Sequence, residues 1–215
     1  NITGNILVTL LFAIAGGAIC GFINGVLVGG VEMPAFIVTL ATMLIYRSIA
    51  QYVCQHIPKD LCGGGSSVYR MDTKIASYQT FYQLGNGKIA SIPYVGIVLL
   101  IMTLLFIYIS TSTKFGKKIY AIGSNQKGAV LAGINVSLMK IIVFVIAGVL
   151  VGIGAFLWIA MNASCDPATS GKNYEMYAIS AVVLGGISMS GGKGKMLGVL
   201  FGIMSYTIID KIIVA

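Results

Sequence analysis

The sequence predicts an all-α fold, a polytopic bundle of transmembrane helices. Composition is the first reason: 57% of the residues are hydrophobic, 9% are charged and the mean hydropathy is +0.94. A soluble domain has about a quarter of its residues charged, and 215 residues with so few charges have no way to cover a water-facing surface. The second reason is arrangement. The apolar residues fall in blocks long enough to cross hydrocarbon, which takes about 20 residues. No signal-peptide pattern opens the chain and there is no initiator Met. Asn1 reads as an internal start, and Ile212-Ile213-Val214-Ala215 stops inside an apolar run. The chain is therefore expected to be a fragment of a longer polytopic protein, a single transmembrane domain over 1–215 with about six membrane segments visible.

The first block runs from Ile6 to about Val28. Gly17, Gly21, Gly25 and Gly29 recur every fourth residue, which places them on one helix face and lets a neighbouring helix approach closely. Gly29-Gly30-Val31-Glu32-Met33 is a short break, and Pro34 suits the first turn of the next helix, Ala35 to about Val53. Arg47 lies in its second half and can snorkel to the interface. Residues 54–92 form the longest polar stretch, with Gly63-Gly64-Gly65 and Gly85-Asn86-Gly87 as turn signals. Pro93 to about Thr111 is the third span and Ile141 to Met161 the fourth, with Gly148 and Gly152 at the same four-residue step. Tyr174 to about Met189 is apolar but short for a full crossing. Ser190-Gly191-Gly192-Lys193-Gly194-Lys195 follows as a glycine turn, and the last span opens at Met196.

Charge orients these blocks by a narrow margin, seven Lys and Arg on the side of 112–140 against five on the other. Lys114, Lys117, Lys118, Lys127 and Lys140 stand in 112–140 without a single acid. Lys and Arg favour the cytoplasm, so 112–140 is expected to be cytoplasmic. Alternation then puts 29–33 and 190–195 on the same side, with 54–92 and 162–173 outside. The formal charge of +8 is carried by short loops and forms no basic stripe with interleaved aromatics, which argues against nucleic acid. Ser190 to Lys195 lacks the spacing and the preceding strand of a phosphate loop. One His, at position 56, and acids scattered singly assemble no catalytic constellation and no metal spacing. His56 reads as a solvated residue of the outer loop. Cys54 and Cys62 are compatible with a bridge in an oxidising compartment, with Cys165 on the same side.

Within 112–140 the centre reads as a short helix. Ser124 or Asn125 would cap its start and Gly133 would end it. Val130, Leu131 and Ile134 give it one apolar face, to be buried on the membrane domain or in a groove of a partner. The run Lys114-Phe115-Gly116-Lys117-Lys118-Ile119-Tyr120 through Asn125 and Ala129 to Gly133-Ile134-Asn135-Val136 resembles the cytoplasmic loop of bacterial sugar-uptake ABC-transporter permeases, the ribose, xylose and galactose group. Three further stretches match in order: Asn24-Gly25-Val26-Leu27 through Pro34 to Met43, Leu84 to Ile89 before Ile92-Pro93, and Tyr174-Glu175 through Gly185-Gly186 to Gly194.

That resemblance, covering nearly the whole chain, implies a permease subunit in the bacterial cytoplasmic (inner or plasma) membrane. It implies a coupling segment at Asn125 to Gly133 that docks on an ATPase subunit, with Phe115, Gly116, Tyr120, Gly123, Asn125, Ala129 and Gly133 as coupling residues. The expected partners are that ATPase, an extracytoplasmic sugar-binding protein, a second permease copy and lipid. ATP-Mg would belong to the ATPase, with no cofactor on this chain and no covalent chemistry. Where the family carries Tyr-Glu-Leu-Asp-Ala, this chain has Tyr174-Glu175-Met176-Tyr177-Ala178, so a role for the Asp does not transfer and Tyr177 would line a different surface. Asn24, Glu175 and Tyr177 are the candidates for a translocation path. Glu175 reads first as a headgroup-level acid or a charge at a helix N-terminus, and the paired glycines Gly185-Gly186 and Gly191-Gly192 are positioned to break a helix, with a tight glycine turn as the favoured reading of Gly191 to Gly194. The alternative class is a self-sufficient channel or secondary carrier, which tends to place polar ligands mid-span. Asn24 is the one clear residue of that kind in the first block.

Overall fold

The computed structural model describes residues 5–56, 69–70, 76–89 and 92–214. Nine α-helices and four two-residue strands appear among them. Five helices are long and apolar enough to cross a membrane: Ile6–Gly29, Ala35–His56, Tyr94–Ser112, Val136–Asn162 and Met196–Ile213. The all-α bundle expected from composition is the observed fold, and its strands are small clips between loops. The chain divides into two compact units, Asn1–Gly96 with Ser137–Ser170, and Ile97–Val136 with Gly171–Ala215.

In the first unit, α1 (Ile6–Gly25) starts on Asn5, whose side chain accepts from the Leu7 amide. It widens into a π-turn over Val26–Gly30. α2 (Ala35–His56) follows. α7 (Val136–Asn162) is the longest helix, with 27 residues. The glycine faces expected on α1 and α7 meet each other. A Cβ on Gly17 would strike Gly148, one on Gly21 would strike Phe144 and Gly148, and one on Gly25 would lie 3.0 Å from Ile141 Cα. Numbers rise along α1 and fall along α7, so the helices run antiparallel in backbone contact. Without a hydrophobic drive between helices in lipid, this close approach supplies the packing energy.

Above this seam, α3 (Ala76–Asn86) forms inside the stretch expected to be loop. Its Phe81 is 2% exposed and packs edge-on against Phe156 at 4.9 Å, next to the fully buried Ala160. Gly85 lets the α3 backbone lie on Ala160, and Asn86 Nδ2 donates to the Met161 carbonyl at 3.1 Å. Glycine at 85 and Asn at 86 look like turn residues in sequence but serve here as contact points at the end of a helix. β1 (Tyr69–Arg70) pairs antiparallel with β4 (Ser164–Cys165), and β2 (Lys88–Ile89) with β3 (Ile92–Pro93). The first pairing joins two segments that alternation assigns to one side.

Several sequence expectations are corrected. α2 continues to His56, so His56 is not a loop residue. Its Nδ1 lies 2.8 Å from the Tyr52 carbonyl and its ring 4.1 Å from the Tyr52 ring. Cys54 is buried in the last turn of α2 rather than free in a loop segment, and its suggested partner Cys62 lies outside the described residues. α7 begins at Val136, five residues early, which takes Lys140 into the helix. Arg47, read as able to snorkel, donates from Nη1 to the Ala168 carbonyl of the loop after α7 at 3.1 Å.

In the second unit, α4 (Tyr94–Ser112) supplies most of one span and has no buried residue. α5 (Lys114–Ser124) and α6 (Gln126–Leu131) form the basic segment. α8 (Tyr174–Leu184) has 11 residues and α9 (Met196–Val214) has 19. At about 1.5 Å per residue, α8 reaches roughly halfway through a core of about 30 Å. It stops at Leu184, short of the Met189 read from the sequence, because Gly185-Gly186 turns the chain, with Gly186 at φ +78. Gly198 sits on Gly185 and Gly202 on Ala181, so α8 and α9 form an antiparallel hairpin built on glycine contacts.

Candidate functional site

The basic segment is built by three local devices. Thr113 joins α4 to α5: its hydroxyl donates to the Ile109 carbonyl at 2.6 Å and accepts from the Gly116 amide at 3.1 Å. Gly116 is buried in that elbow, where a Cβ would fall 2.6 Å from Ser110 Cα. Asn125 then separates α5 from α6. Its N–H closes α5 on the Ala121 carbonyl at 3.0 Å, while its Oδ1 accepts from the Gly128 amide at 3.0 Å and caps α6. Of the two caps read from the sequence, Asn125 is the one used. Gly133, at φ +77, ends α6 with its N–H on the Val130 carbonyl at 2.9 Å, a glycine stop of the usual kind.

These devices decide which side chains are presented. Gly116 and Ala129 are buried, and Phe115, Tyr120 and Gly123 are partly covered. Lys114, Lys117, Lys118 and Lys127 are exposed. Val130 is 56% exposed and Leu131 is 89% exposed. Gly116, Tyr120, Gly123, Asn125 and Gly133, among the residues singled out for coupling, thus make contacts or hydrogen bonds that shape the segment, while Val130, Leu131 and the four lysines are exposed. Periodicity placed Val130 and Leu131 on an apolar face. Ala129 on the same helix is buried, and Ile134, the third residue of that face, is partly covered.

The glycine turn at 190–194 packs on α5. The Tyr120 hydroxyl donates to the Gly194 carbonyl at 3.0 Å. A Cβ on Gly123 would lie 2.5 Å from the Gly192 nitrogen, and one on Gly192 would lie 2.6 Å from Ser124 Cα. Gly191, Gly192 and Gly194 have φ of +85, +72 and +144, values that side chains disfavour. The turn is closed by the Ser188 amide on the Lys193 carbonyl at 3.0 Å.

The path candidates lie in two places. Glu175 occupies the first turn of α8, behind Asn173 in the left-handed region, where a carboxylate suits the helix dipole. Tyr177 stands between Tyr174 at 6.0 Å and Tyr206 of α9 at 5.7 Å. Tyr206 carries no signal in the sequence, because only the hairpin brings it opposite Tyr177. In the first unit, Asn24 lies one turn from Cys20, whose carbonyl accepts from the Tyr46 hydroxyl at 3.4 Å, and two residues before the π-turn. Its Oδ1 is buried with no hydrogen-bond partner. Gly29 lies at the end of the same stripe, and the Ser137 hydroxyl donates to its carbonyl.

In the loop after α7, Asp166 accepts from the Thr169 hydroxyl at 2.7 Å and the Ala168 amide at 2.9 Å. These bonds, the hydroxyl first, hold its carboxyl below the usual carboxylate range. Among the described residues no group of three His, Cys, Asp or Glu is placed to hold a metal ion.

A family model described as branched-chain amino acid transport system / permease component matches residues 1–215. The chain is 36% identical over 198 residues to the ribose import permease protein RbsC of Escherichia coli (strain K12), covering 92% of this chain and 58% of that protein. It is 33% identical over 181 residues to RbsC of Bacillus subtilis (strain 168), covering 84% and 52%. Over 207 residues it is 32% identical to the galactose/methyl galactoside import permease protein MglC of E. coli (strain K12), covering 95% and 58%. The chain thus spans a little over half the length of these relatives. No solved structure shows a significant match. With a match along its full length and five apolar helices, the chain belongs to the branched-chain amino acid transport system / permease component family and is a multi-pass protein of the inner membrane.

Proposed function

We propose that the chain is the transmembrane permease subunit of an ATP-binding-cassette importer, moving a sugar handed over by an extracytoplasmic binding protein. The class is a pentose, hexose or galactoside. The relatives named above carry ribose or galactose and methyl galactoside in their names and cover 84% to 95% of this chain, which favours a sugar over the amino acids of the broader family description. Energy would come from ATP-Mg in a partner ATPase, a second permease copy would complete the path, and this chain would catalyse no reaction. The segment 112–140 would lie in the cytoplasm.

One observation carries the reading: the exposed Leu131 on a helix capped at both ends, within a segment of lysines and no acid. A leucine this open loses its burial energy of about 1.5–3 kcal/mol unless a partner covers it. An ATPase groove with an apolar floor and an acidic rim would supply both complements. The test is co-purification of the full-length permease with an ATP-binding-cassette ATPase expressed with it. Leu131→Asp is expected to weaken that association by about thirtyfold, the effect of a central contact worth about 2 kcal/mol. Retention of the ATPase by Leu131→Asp and by a variant with Lys117, Lys118 and Lys127 all changed to Gln would overturn the assignment.

A further inference from the structure

We infer that Tyr120 and the glycine turn at 191–194 form the joint through which the α5–α6 segment drives the α8–α9 hairpin. The inference rests on the permease reading and adds to it the element that is driven. Tyr120 and Gly123 then act as positioning residues, which connect the segment to the membrane helices rather than to the ATPase.

The joint is rigid on both sides. Gly123 and Gly192 put two backbones in contact with no side chain between them, and Gly191 lies against Gly123 as well, with a Cβ reaching 3.1 Å from its carbonyl oxygen. Packed interfaces of this kind switch between discrete arrangements and do not stretch. The Tyr120–Gly194 hydrogen bond at 3.0 Å gives the contact a direction, since the hydroxyl reaches a carbonyl and not another movable side chain. The turn is also held from inside: a Cβ on Gly194 would lie 3.1 Å from Ile187 Cα, and Ser188 and Lys193 are hydrogen-bonded across it.

From the turn the chain enters α9 at once, with the Gly198 amide on the Lys195 carbonyl at 2.9 Å. Gly198 and Gly202 lock α9 to α8, so a displacement of the turn carries both helices. Gly186, at φ +78 with open space around its Cβ position, ends α8, and its amide is held on the Val183 carbonyl at 2.9 Å. On the other side, α6 is set off from α5 by the extended Asn125, φ −154 and ψ +98. The order along the mechanism is therefore α6, Asn125, α5, the glycine turn, then the hairpin that carries Glu175, Tyr177 and Tyr206.

The experiment uses the full-length permease with its ATPase and binding protein in proteoliposomes, recording uptake and ATP hydrolysis together. Tyr120→Phe keeps the ring and deletes the hydrogen bond. It is expected to leave ATPase co-purification unchanged and to lower solute moved per ATP by about two- to tenfold, the equilibrium effect of one such bond. Gly192→Ala should act in the same direction and more strongly. Gly171→Ala is the control: its φ of +69 imposes similar backbone strain, but nothing lies within 4 Å of the new Cβ, so its ratio should match the wild type. Should Gly192→Ala not assemble, Tyr120→Phe decides alone. A wild-type ratio in assembled Tyr120→Phe complexes would overturn the joint while leaving the permease reading intact. No ATPase on the wild-type protein would overturn that reading and the joint with it.

Discussion

Glycine brings two backbones together in both units, but by different means. Along α1 and α7, Gly17, Gly21, Gly148 and Gly152 are ordinary helical residues whose value is the missing side chain. In the 190–194 turn, Gly191, Gly192 and Gly194 are needed first for their positive φ, and close approach to α5 comes as a second consequence. The seam is a continuous stripe along α1 and the π-turn, with Gly17, Gly21, Gly25 and Gly29 at four-residue steps sharing one load. The turn is a single point, where each glycine has its own task. A stripe gives helix–helix adhesion. A point contact between α5 and the turn of the hairpin is suited to passing on a displacement.

The largest predicted effect tests the stripe. Gly148→Leu puts a side chain against the Gly17 carbonyl and 3.0 Å from Gly21 Cα. Backbone atoms cannot step aside, so the cost should lie at the top of the overpacking range, about 3 kcal/mol or more. Gly154 is on the same helix with nothing within 4 Å of its Cβ position. Gly154→Ala should be neutral or stabilising by up to about 1 kcal/mol, from helix propensity alone. Denaturation midpoints of the two variants in detergent decide the matter, and equal midpoints would show that α1 and α7 do not bear on each other.

This contrast also explains what was readable in the sequence. Spans were legible because hydrophobic length is a local property, and the four-residue glycine steps because a helix face is periodic. The partners of those faces were not legible, since periodicity says that a helix approaches but not which one. α3 was hidden because Gly85 and Asn86, turn residues by composition, are placed to touch Ala160 and Met161. Around the candidate site, Asn125 and Gly133 were legible from cap chemistry. Thr113 was not, because its role depends on α4 and α5 meeting at an elbow, and Tyr206 was not, because it acts only across the hairpin. The orphan Oδ1 of Asn24 needed both a burial and a partner count.

A middle-sized effect tests the point contact from its other end. Asn125 ends one helix and begins another, so Asn125→Ala should leave the Gly128 amide without its acceptor at a cost of about 1 kcal/mol. Opening of α6 would become about fivefold more frequent, the same energy expressed as a population. Hydrogen exchange at Gly128 reads this directly, and Asn125→Asp, which keeps the acceptor, should restore protection. Unchanged exchange at Gly128 in the Ala variant would mean that α6 is held by its surroundings and not by its cap.

The smallest effect lies in the loop after α7, where side-chain hydrogen bonds and not glycine fix the backbone. Thr169 and Ala168 both donate to the Asp166 carboxylate, so its carboxyl is held below the ordinary range. A lowered folded value means that the ionised form stabilises the loop. That contribution is complete at pH above the ordinary carboxylate value and is lost as pH falls through the lower folded value. The group is only partly covered, so water screens it and the gain is small. The loop also supplies the Ala168 carbonyl that accepts from Arg47, so acidification should loosen this tie to α2 while leaving the glycine seam unaffected. A carboxyl-carbon NMR titration should show Asp166 titrating at lower pH than the same residue in a Thr169→Val variant. Coincident titration curves would show that the Thr169 hydroxyl does not hold the carboxylate. A seam that loosened together with the loop would show that the glycine contacts depend on charge and not on shape alone.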